Sequence, residues 1–189
     1  MGKIVITEFL SVDGVMEAPG GDDNFVRGAW TFEFDRGHDG NAFKTGETMD
    51  ADAMLLGRRT YEGFARAWPG RPGEFADRFN SMRKYVVSST LKDPEWTNSV
   101  VVGGDVATEI PKLRDAHERH LIVHGSCQLA QALIAHDLVD ELRLMVFPVV
   151  LGTGKKLFGE TSDMQRLKLT ESRTVGSDGV LTLVYERAR

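Results

Sequence analysis

Two short segments of this sequence place glycine, arginine and hydroxyl side chains directly after a run of apolar residues. Residues 55–62, LLGRRTYE, end such a run at Gly57 and continue with two arginines and a threonine. Residues 121–131, LIVHGSCQLAQ, stop at Gly125 before a stretch with helical spacing. The first N–H groups of a helix have no internal partner, and they carry the positive end of the helix dipole. Because a guanidinium also pairs with phosphate, the chemistry that these segments could perform is phosphate binding.

Each of these segments also has an ordinary structural interpretation. The arginine pair could be solvated and Thr60 could only cap a helix, and from the local sequence alone this interpretation is favoured. Ser126 could likewise cap the next helix after a tight turn, and Cys127 is better explained as a small buried thiol than as a reactive one. Residues 86–90, VVSST, offer three hydroxyls, which equally suit a strand end followed by a turn.

Several better-known catalytic and binding patterns are absent from the sequence. There is no P-loop, no G-x-G-x-x-G fingerprint and no G-x-S-x-G nucleophile motif. His117 and His120 are three residues apart without an evident third ligand, so a solvated pair is favoured and no metal site is predicted. Residues 148–159, PVVLGTGKKLFG, lack the P-loop spacing and predict a turn into a short helix.

The overall composition is that of an ordinary globular protein. The chain has 189 residues, which suits one domain over 1–189, and a formal net charge of −5, which gives no support to a nucleic-acid or anionic-membrane partner. Its one cysteine excludes an internal disulfide and suits a reducing cytoplasm. No stretch has the pattern of a signal peptide or of a membrane span. We therefore expect a cytoplasmic protein whose partner is a small molecule.

Strands that alternate with helices position these segments. Strands are predicted at residues 3–10, 53–57, 84–90, 99–105, 120–125 and 141–152. Helices are predicted at about residues 30–49, 60–67, 73–82 and 105–118 and after Ser126. The sequence from Arg166 to Arg189 alternates on both sides of GSDG, which predicts an antiparallel hairpin at an edge of the sheet. This order predicts an α/β fold with a mainly parallel sheet covered by helices on both faces.

The polar segments of the sequence follow the predicted strands directly. They are SVDG, GRRTYE, VSST and HGS. In an open parallel sheet, ligands bind outside the carboxyl ends of the strands. The convergence of these four segments on one rim of the sheet is therefore the first sign of function that the residues provide.

The ordered set of motifs resembles a known family. LLGRRTYE, KYVVSST and LIVHGSCQLAQAL, in that order and spacing, look like the dihydrofolate reductase superfold. SVDGVM and LVDELRLMVFPVVLGTGKKLF are more closely similar to the reductase domain of bifunctional riboflavin-biosynthesis enzymes and to stand-alone bacterial relatives. The resemblance covers nearly the whole chain, and it implies a three-layer dihydrofolate reductase-like fold that binds NADPH. Relatives of the riboflavin type commonly pair, so it also implies a homodimer.

The resemblance assigns cofactor-binding roles by position. The residues that match the motif for the adenosine 2′-phosphate and the pyrophosphate are Gly57, Arg58, Arg59 and Thr60. Those that match the strand end beside the adenosine phosphate are Ser88 and Ser89. Those that match the turn and helix start receiving the pyrophosphate are Gly125, Ser126, Cys127, Gln128 and Leu129. Dihydrofolate reductases have consecutive glycines and a cis peptide at this turn, whereas here Ser126 replaces a glycine.

The substrate side matches the family less closely. Asp13, in the S-x-D-G motif, is expected to lie close to the nicotinamide or the substrate, or else to brace its own turn. Dihydrofolate reductases carry a proton-donating acid on their first helix, and the nearest carboxylates here are Asp35 and Asp39. Asp39 could protonate the substrate or lie on the surface, in which case a bound water would be the proton donor.

The reaction that the resemblance implies is hydride transfer from NADPH to a C=N or C=O carbon of a small polar heterocyclic compound. The substrate that the family indicates first is the phosphoribosylamino-uracil intermediate of riboflavin synthesis. The alternatives are a true dihydrofolate reductase and a regulator that binds NADPH without turning it over.

Overall fold

The protein is built around one eight-stranded sheet. The computed structural model describes residues 1–21, 24–160 and 164–188. Its strands are β1 (Lys3–Ser11), β2 (Ala51–Gly57), β3 (Arg83–Val87), β4 (Ser99–Val102), β5 (His120–His124), β6 (Glu141–Phe147), β7 (Leu167–Val175) and β8 (Val180–Arg187). Its helices are α1 (Gly37–Met49), α2 (Arg58–Ala67), α3 (Glu74–Ser81), α4 (Val106–Asp115) and α5 (Cys127–Ala135), with a 3-10 turn at Trp30–Glu33. The strands lie in the order β4-β3-β2-β5-β1-β6-β8-β7.

Helices cover both faces of a sheet that is parallel from β4 to β6. Among the described strands β8 alone runs in the opposite direction; it pairs antiparallel with β6 and with β7, and β7 and β8 form the hairpin at one edge. On one face Ile4 and Ile6 of β1 pack with Leu133 of α5, and on the other face Leu56 of β2 packs with Phe79 of α3. This arrangement confirms the predicted three-layer α/β fold. No helix in the described part of the chain has the length and apolar composition needed to cross a membrane.

Several elements end earlier than predicted. β3 stops at Val87, so the strand predicted at 84–90 is too long, and Ser88 already belongs to the following turn. β6 stops at Phe147, because the next residue is a proline without an N–H for the ladder.

The short helix predicted within residues 148–159 is wrong. This segment is irregular, and an isolated bridge between Val15 and Lys156 joins it to the residues that follow β1. Gly152 and Gly154 adopt φ values of 73° and 116°, which a continuous right-handed helix does not allow. Gly152 and Gly154, which the sequence placed in a turn leading into a helix, therefore lie in turns that no helix follows within residues 148–159.

The chain crossovers on either side of β1 and β5 open a crevice between these strands. β1 leads through α1 to β2, past β5, whereas β5 leads through α5 to β6, past β1. Right-handed crossovers in opposite directions pass on opposite faces of the sheet. The pairing of β1 with β5 ends at Thr7 and His124, while β1 continues beside β6 to Ser11. The sheet therefore splits at the carboxyl ends of β1 and β5, the kind of position where such folds bind ligands.

The two outermost strands, β7 and β4, differ in length. β7 has nine residues, and of these Val175 alone is buried. Its register with β8 shifts between Leu169 and Glu171, which marks an irregularity in the ladder. β4, at the opposite edge, has four residues. The buried hydrophobic residues of the sheet are concentrated on the central strands β2, β5, β1 and β6, and the site region lies at the carboxyl ends of β2, β5 and β1.

Candidate functional site

The carboxyl ends of β2 and β5 are joined directly through Ser126. Its hydroxyl accepts a hydrogen bond from the backbone N–H of Gly57 at 2.9 Å and donates one to the carbonyl of His124 at 3.0 Å. Its backbone N–H donates to the hydroxyl of Thr60 at 2.8 Å. The structure thus brings the two glycine turns of the sequence together at one rim of the sheet.

Helix α2 begins two residues earlier than predicted. Arg58 is its first residue, and Gly57 precedes it in an extended conformation. Thr60 lies inside the first turn, where its hydroxyl accepts the inter-turn hydrogen bond instead of capping the helix. Arg58 and Arg59 are both exposed, and Arg58 lies 3.7 Å from Glu62 in a solvated pair of the kind that contributes little to stability. Both guanidinium groups are therefore accessible to an anion.

Helix α5 begins after two residues in the left-handed conformation. Gly125 has a φ of 55° and Ser126 a φ of 56°, and no cis peptide bond occurs among the described residues. A Cβ atom on Gly125 would lie 3.1 Å from side-chain atoms of Thr60, so glycine permits the close approach of the two turns. Ser126 makes no capping hydrogen bond to α5. The first N–H groups of the helix, at residues 127–129, are therefore available to an anion.

The side chains that begin α5 contribute less than its backbone. Burial raises the pKa of Cys127, whose thiol donates to the carbonyl of Lys156 at 3.3 Å, in keeping with a small, unreactive thiol. Leu129 is 6% exposed and packs in the core, so only its N–H could reach a ligand. Gln128 is exposed.

The serines after β3 form the next part of the rim. Gly57 and Val87 are register partners, so Ser88 follows β3 beside the start of α2. The hydroxyl of Ser88 accepts hydrogen bonds from two following backbone N–H groups at 3.1 and 2.9 Å and thereby closes its own turn. Ser89 is exposed. Of the two serines that the sequence predicted to bind the cofactor, Ser88 uses its hydroxyl to close the turn, whereas the Ser89 hydroxyl does not make these turn hydrogen bonds.

His117 and His120, which lie just before β5 and at its first residue, are not the solvated pair that the sequence favoured. His117 is half-buried, with its Nε2 atom 3.1 Å from the Tyr85 hydroxyl. Desolvation lowers the pKa of His120. Across the described residues, no three His, Cys, Asp or Glu side chains are grouped so as to hold a metal ion.

Asp13 braces the turn after β1 against the segment that follows β6. Its Oδ1 atom accepts hydrogen bonds from the Ser11 hydroxyl at 2.7 Å and from the Leu151 N–H at 3.0 Å. Its Oδ2 atom accepts one from the Gly152 N–H at 2.8 Å. These donors, the Ser11 hydroxyl first, lower the pKa of Asp13 to about 2. The geometry therefore fits the bracing role that the sequence left open, in a turn that borders the crevice.

We expect Asp13→Asn to lower the melting temperature at neutral pH and to flatten the acid limb of the stability curve. Because the folded pKa lies below the ordinary value of 3.8, the ionised group stabilises the fold above about pH 4, and this contribution is lost as the pH falls towards about 2. Thermal unfolding of both proteins at neutral pH and from about pH 4 down to about pH 2 measures the effect. Asp115→Asn, at a half-exposed position on α4, is the matched control. Parallel acid limbs for wild type and Asp13→Asn would contradict the bracing role.

Asp39 lies on the surface. Its side chain is 82% exposed and lies 3.4 Å from His38 at the start of α1. Asp35 accepts hydrogen bonds from the Gly37 N–H at 2.7 Å and from the Ser177 hydroxyl at 3.1 Å, so it ties α1 to the hairpin turn. Neither carboxylate reaches the rim through these contacts, and for Asp39 the surface alternative of the sequence analysis describes its position.

A buried polar cluster between α1 and the sheet was not predicted. The ammonium of Lys44 donates to the Thr7 hydroxyl at 2.5 Å and pairs with the carboxylate of Glu47, and that hydroxyl donates to Glu47 at 2.6 Å. Glu47 is 2% exposed. His124 lies beside Thr7 in the sheet, and burial lowers its pKa well below the ordinary range, so its ring is neutral. The Nε2 atom of His124 and one oxygen of Glu47 have no hydrogen-bond partner among the described residues.

Glu8, which follows Thr7 on β1, was also not identified from the sequence. It is 4% exposed, and its Oε1 atom has no hydrogen-bond partner within the described ranges. Desolvation raises the pKa of Glu8 well above the ordinary range, against the opposing influence of Lys44 and of the Gly125 N–H, and Glu47 adds to the increase. The sequence signal was a single acidic residue inside the apolar run KIVITEFL.

Sequence comparison relates this chain to one protein family and to two curated proteins. The profile of the family described as "RibD C-terminal domain" matches residues 2–181. Among curated relatives, "Uncharacterized protein YyaP" of Bacillus subtilis (strain 168) is 30% identical over 139 residues, which cover 71% of this chain and 73% of the relative. "Uncharacterized protein YwjB" of the same organism is 24% identical over 186 residues, 98% of each chain.

Solved structures with the same fold include three proteins of low sequence identity. A protein described as "Putative riboflavin biosynthesis protein" from Shewanella sp. PV-4 has a TM-score of 0.72 and 20% identity, with 99% of each chain covered. Dihydrofolate reductase from Enterococcus faecalis, in complex with NADP(H), has a TM-score of 0.64 and 17% identity over 99% of this chain and 97% of that one. A pyrimidine reductase-like protein from Corynebacterium diphtheriae has a TM-score of 0.62 and 14% identity over 99% and 92%. These likenesses confirm the dihydrofolate reductase-like fold.

Proposed function

Because this chain belongs to the RibD C-terminal domain family, we propose that it is a single-domain, NADPH-dependent reductase that transfers a hydride to a C=N or C=O carbon of a small polar heterocyclic substrate. The observation that carries the proposal is the rim itself. Ser126 joins the turns before α2 and α5, so two helix starts lie side by side with two exposed arginines. An extended, doubly anionic ligand fits such a surface.

The rim offers donors for each phosphate of NADPH. The uncapped N–H groups at residues 127–129 suit the pyrophosphate, with the Gly57 and Gly125 turns allowing the ligand to approach the backbone. Arg58 and Arg59 suit the 2′-phosphate, which distinguishes NADPH from NADH, with Ser89 beside the adenosine. The bound cofactor would supply the hydride, while the protein binds, orients and desolvates the reacting groups.

The substrate that we propose first is the phosphoribosylamino-uracil intermediate of riboflavin synthesis. The family and the names of the Shewanella and Corynebacterium neighbours support a substrate of this class.

We also propose that the chain works in the cytoplasm as a homodimer. Val12, Phe158 and Leu167 are exposed around a depression of about 550 Å³, and they form an apolar surface that a second copy would cover.

We expect the purified protein to bind NADPH with saturation at millimolar concentrations or below. Quenching of protein fluorescence or calorimetric titration measures the dissociation constant. Gly125→Ala should weaken binding, because its φ of 55° and the 3.1 Å approach to Thr60 both oppose a side chain. Gly46→Ala is the matched control, since nothing lies within 4 Å of a Cβ atom there. Failure to saturate at millimolar NADPH would contradict the proposed function. Oxidation of NADPH in the presence of a panel of carbonyl and imine compounds would distinguish an enzyme from a regulator that only binds the cofactor.

A further inference from the structure

Glu8 occupies the point at which the sheet splits. It alternates with Ile6 and Leu10, which pack on the face covered by α5. It is the first residue of β1 beyond the pairing with β5, and it retains only Leu144 of β6 as a strand partner. Two of its neighbours on this face are aliphatic, so packing alone gives no reason for a carboxyl group here.

The surroundings of Glu8 favour the protonated form of its carboxyl group and leave one of its oxygens without a hydrogen-bond partner. The groups that act on its ionisation are Lys44 and Glu47 of α1, which bond to Thr7 on the other face of the sheet, Cys127 of α5, and the Gly125 N–H, which donates to the carboxyl. Burial outweighs the attraction of Lys44 and raises the pKa of Glu8 well above its ordinary range. A neutral carboxyl has one O–H donor, yet Oε1 finds no partner in the described structure. A buried polar atom without a partner costs free energy, which a ligand group at that position would relieve.

The proposed cofactor would place its nicotinamide ring close to the Glu8 carboxyl group. The strands β3, β2, β5 and β1 are successive neighbours, so their carboxyl ends span roughly 14 Å along the rim. The adenosine and its phosphate are assigned to the ends of β3 and β2, and the pyrophosphate to the start of α5. The nicotinamide, at the other end of the molecule, then points towards β1 and the crevice beside Gly125.

We propose that Glu8 is the acid of this site: it stays neutral beside the reduced cofactor and gives its proton to the substrate as the hydride is transferred. This inference rests on the proposed function. The substrate carbon accepts the hydride with both electrons of the cofactor C4–H bond, and the electron pair of its C=N or C=O bond moves to the nitrogen or oxygen. That atom takes the proton from the Glu8 Oε1–H group. Glu8 is left as a carboxylate beside a positively charged nicotinamide ring, and solvent restores its proton after product release.

The direction of proton transfer follows from charge. The neutral dihydronicotinamide ring of NADPH does not stabilise a carboxylate at the buried Glu8 position. The positively charged ring of NADP+ at close range does stabilise it, because opposite charges attract strongly in a buried site. The same charge difference exists between bound NADPH and bound NADP+, without any substrate. Proton release on cofactor binding therefore reports on Glu8 directly.

The test is calorimetric titration of wild type with NADP+ and with NADPH, each in two buffers of different ionisation enthalpy. We expect NADP+ to release more protons than NADPH, with a difference approaching about one proton per site. The affinity for NADP+ relative to NADPH should then rise with pH by up to about tenfold per pH unit. Glu8→Gln, which mimics the neutral acid, should abolish the difference, and Glu171→Gln on the exposed β7 should keep it. Adenosine 2′,5′-bisphosphate, which lacks the nicotinamide ring, is the control for protons exchanged by the phosphate groups at the adenosine end of the site.

The outcomes separate the inference from the proposed function. If neither dinucleotide nor the bisphosphate binds, the proposed function is overturned. If all of them bind and wild type releases equal numbers of protons with NADP+ and NADPH, or Glu8→Gln keeps the difference, Glu8 is not the acid. The wild-type comparison stands even if the variant fails to fold.

Stability gives a second measurement that needs no cofactor. A raised folded pKa means that Glu8 stabilises the protein at low pH and that this contribution is lost as the pH rises through the raised value. Glu8→Gln should therefore raise the melting temperature more at alkaline than at acid pH. An equal shift at all pH values would show that Glu8 is not held neutral and would overturn the inference.

Discussion

Arg58→Ala is expected to bind NADPH roughly ten- to a hundredfold more weakly than wild type, while its affinity for NADH stays almost unchanged. The two cofactors differ by the 2′-phosphate, which carries most of two negative charges near neutral pH. Arg58 is exposed at the first position of α2, where a charge-assisted contact to phosphate is worth about 1.5–3 kcal/mol. Each 1.4 kcal/mol corresponds to about a factor of ten in affinity. Dissociation constants for both cofactors, measured by fluorescence titration, give the result.

The neighbouring arginine and the salt concentration provide controls for this result. Arg59→Ala should show the same selectivity more weakly, because successive residues at a helix start point in different directions. Arg173→Ala, on the exposed β7, should change neither affinity. The loss caused by Arg58→Ala should shrink with added salt. Equal losses for NADPH and NADH would instead assign the arginines to the pyrophosphate or the fold, and no loss in either variant would leave the segment as an ordinary helix start.

Lys84→Met is expected to lower the free energy of unfolding by about 3 kcal/mol. Lys84 is fully buried, and its ammonium donates to the carbonyls of Asn80 at 2.6 Å, Met82 at 2.8 Å and Thr97 at 3.0 Å. The ammonium also lies 4.2 Å from the ring centroid of Trp96. Methionine fills much of the same volume but leaves these acceptors without their donor. Urea unfolding at neutral pH measures the change.

The matched control for this variant is Lys112→Met. Lys112 makes one ion pair on the surface of α4, 63% exposed, so its removal should change stability very little. Lys84 lies near the start of β3, at the end of the strand away from the rim, so the folded Lys84→Met protein should keep its NADPH affinity. Equal stability of the two variants would show that water replaces the lysine without cost.

The rim of the sheet was predictable because it depends on local sequence. Gly57 and Gly125 each end an apolar run and precede a stretch with helical spacing, so strand, turn and helix could all be read from neighbouring residues. The parallel order followed from the alternation of these units. The contacts of Ser126 with Gly57 and Thr60 then follow once the two strands are neighbours.

The chemistry beneath the rim was not predictable, because it depends on contacts between distant parts of the chain. Glu8 becomes buried where the turn at Gly125 and the start of α5 meet β1, and Lys44 contacts Thr7 because α1 packs on the sheet. Asp13 becomes a brace when the turn at Leu151 reaches it. A single sequence shows such residues as isolated polar positions, which suit solvent as well as burial.

The edges of the sheet restrict how copies of this protein can associate. β4 offers only four residues to an added strand, and β7 presents a shifted register together with the charges of Lys168, Glu171 and Arg173. A flat, regular edge is what lateral growth into fibrils requires, and neither strand supplies one. Concentrated or gently heated samples should therefore resist fibril formation, and any dimer should form through a face of the molecule instead of by extending the sheet.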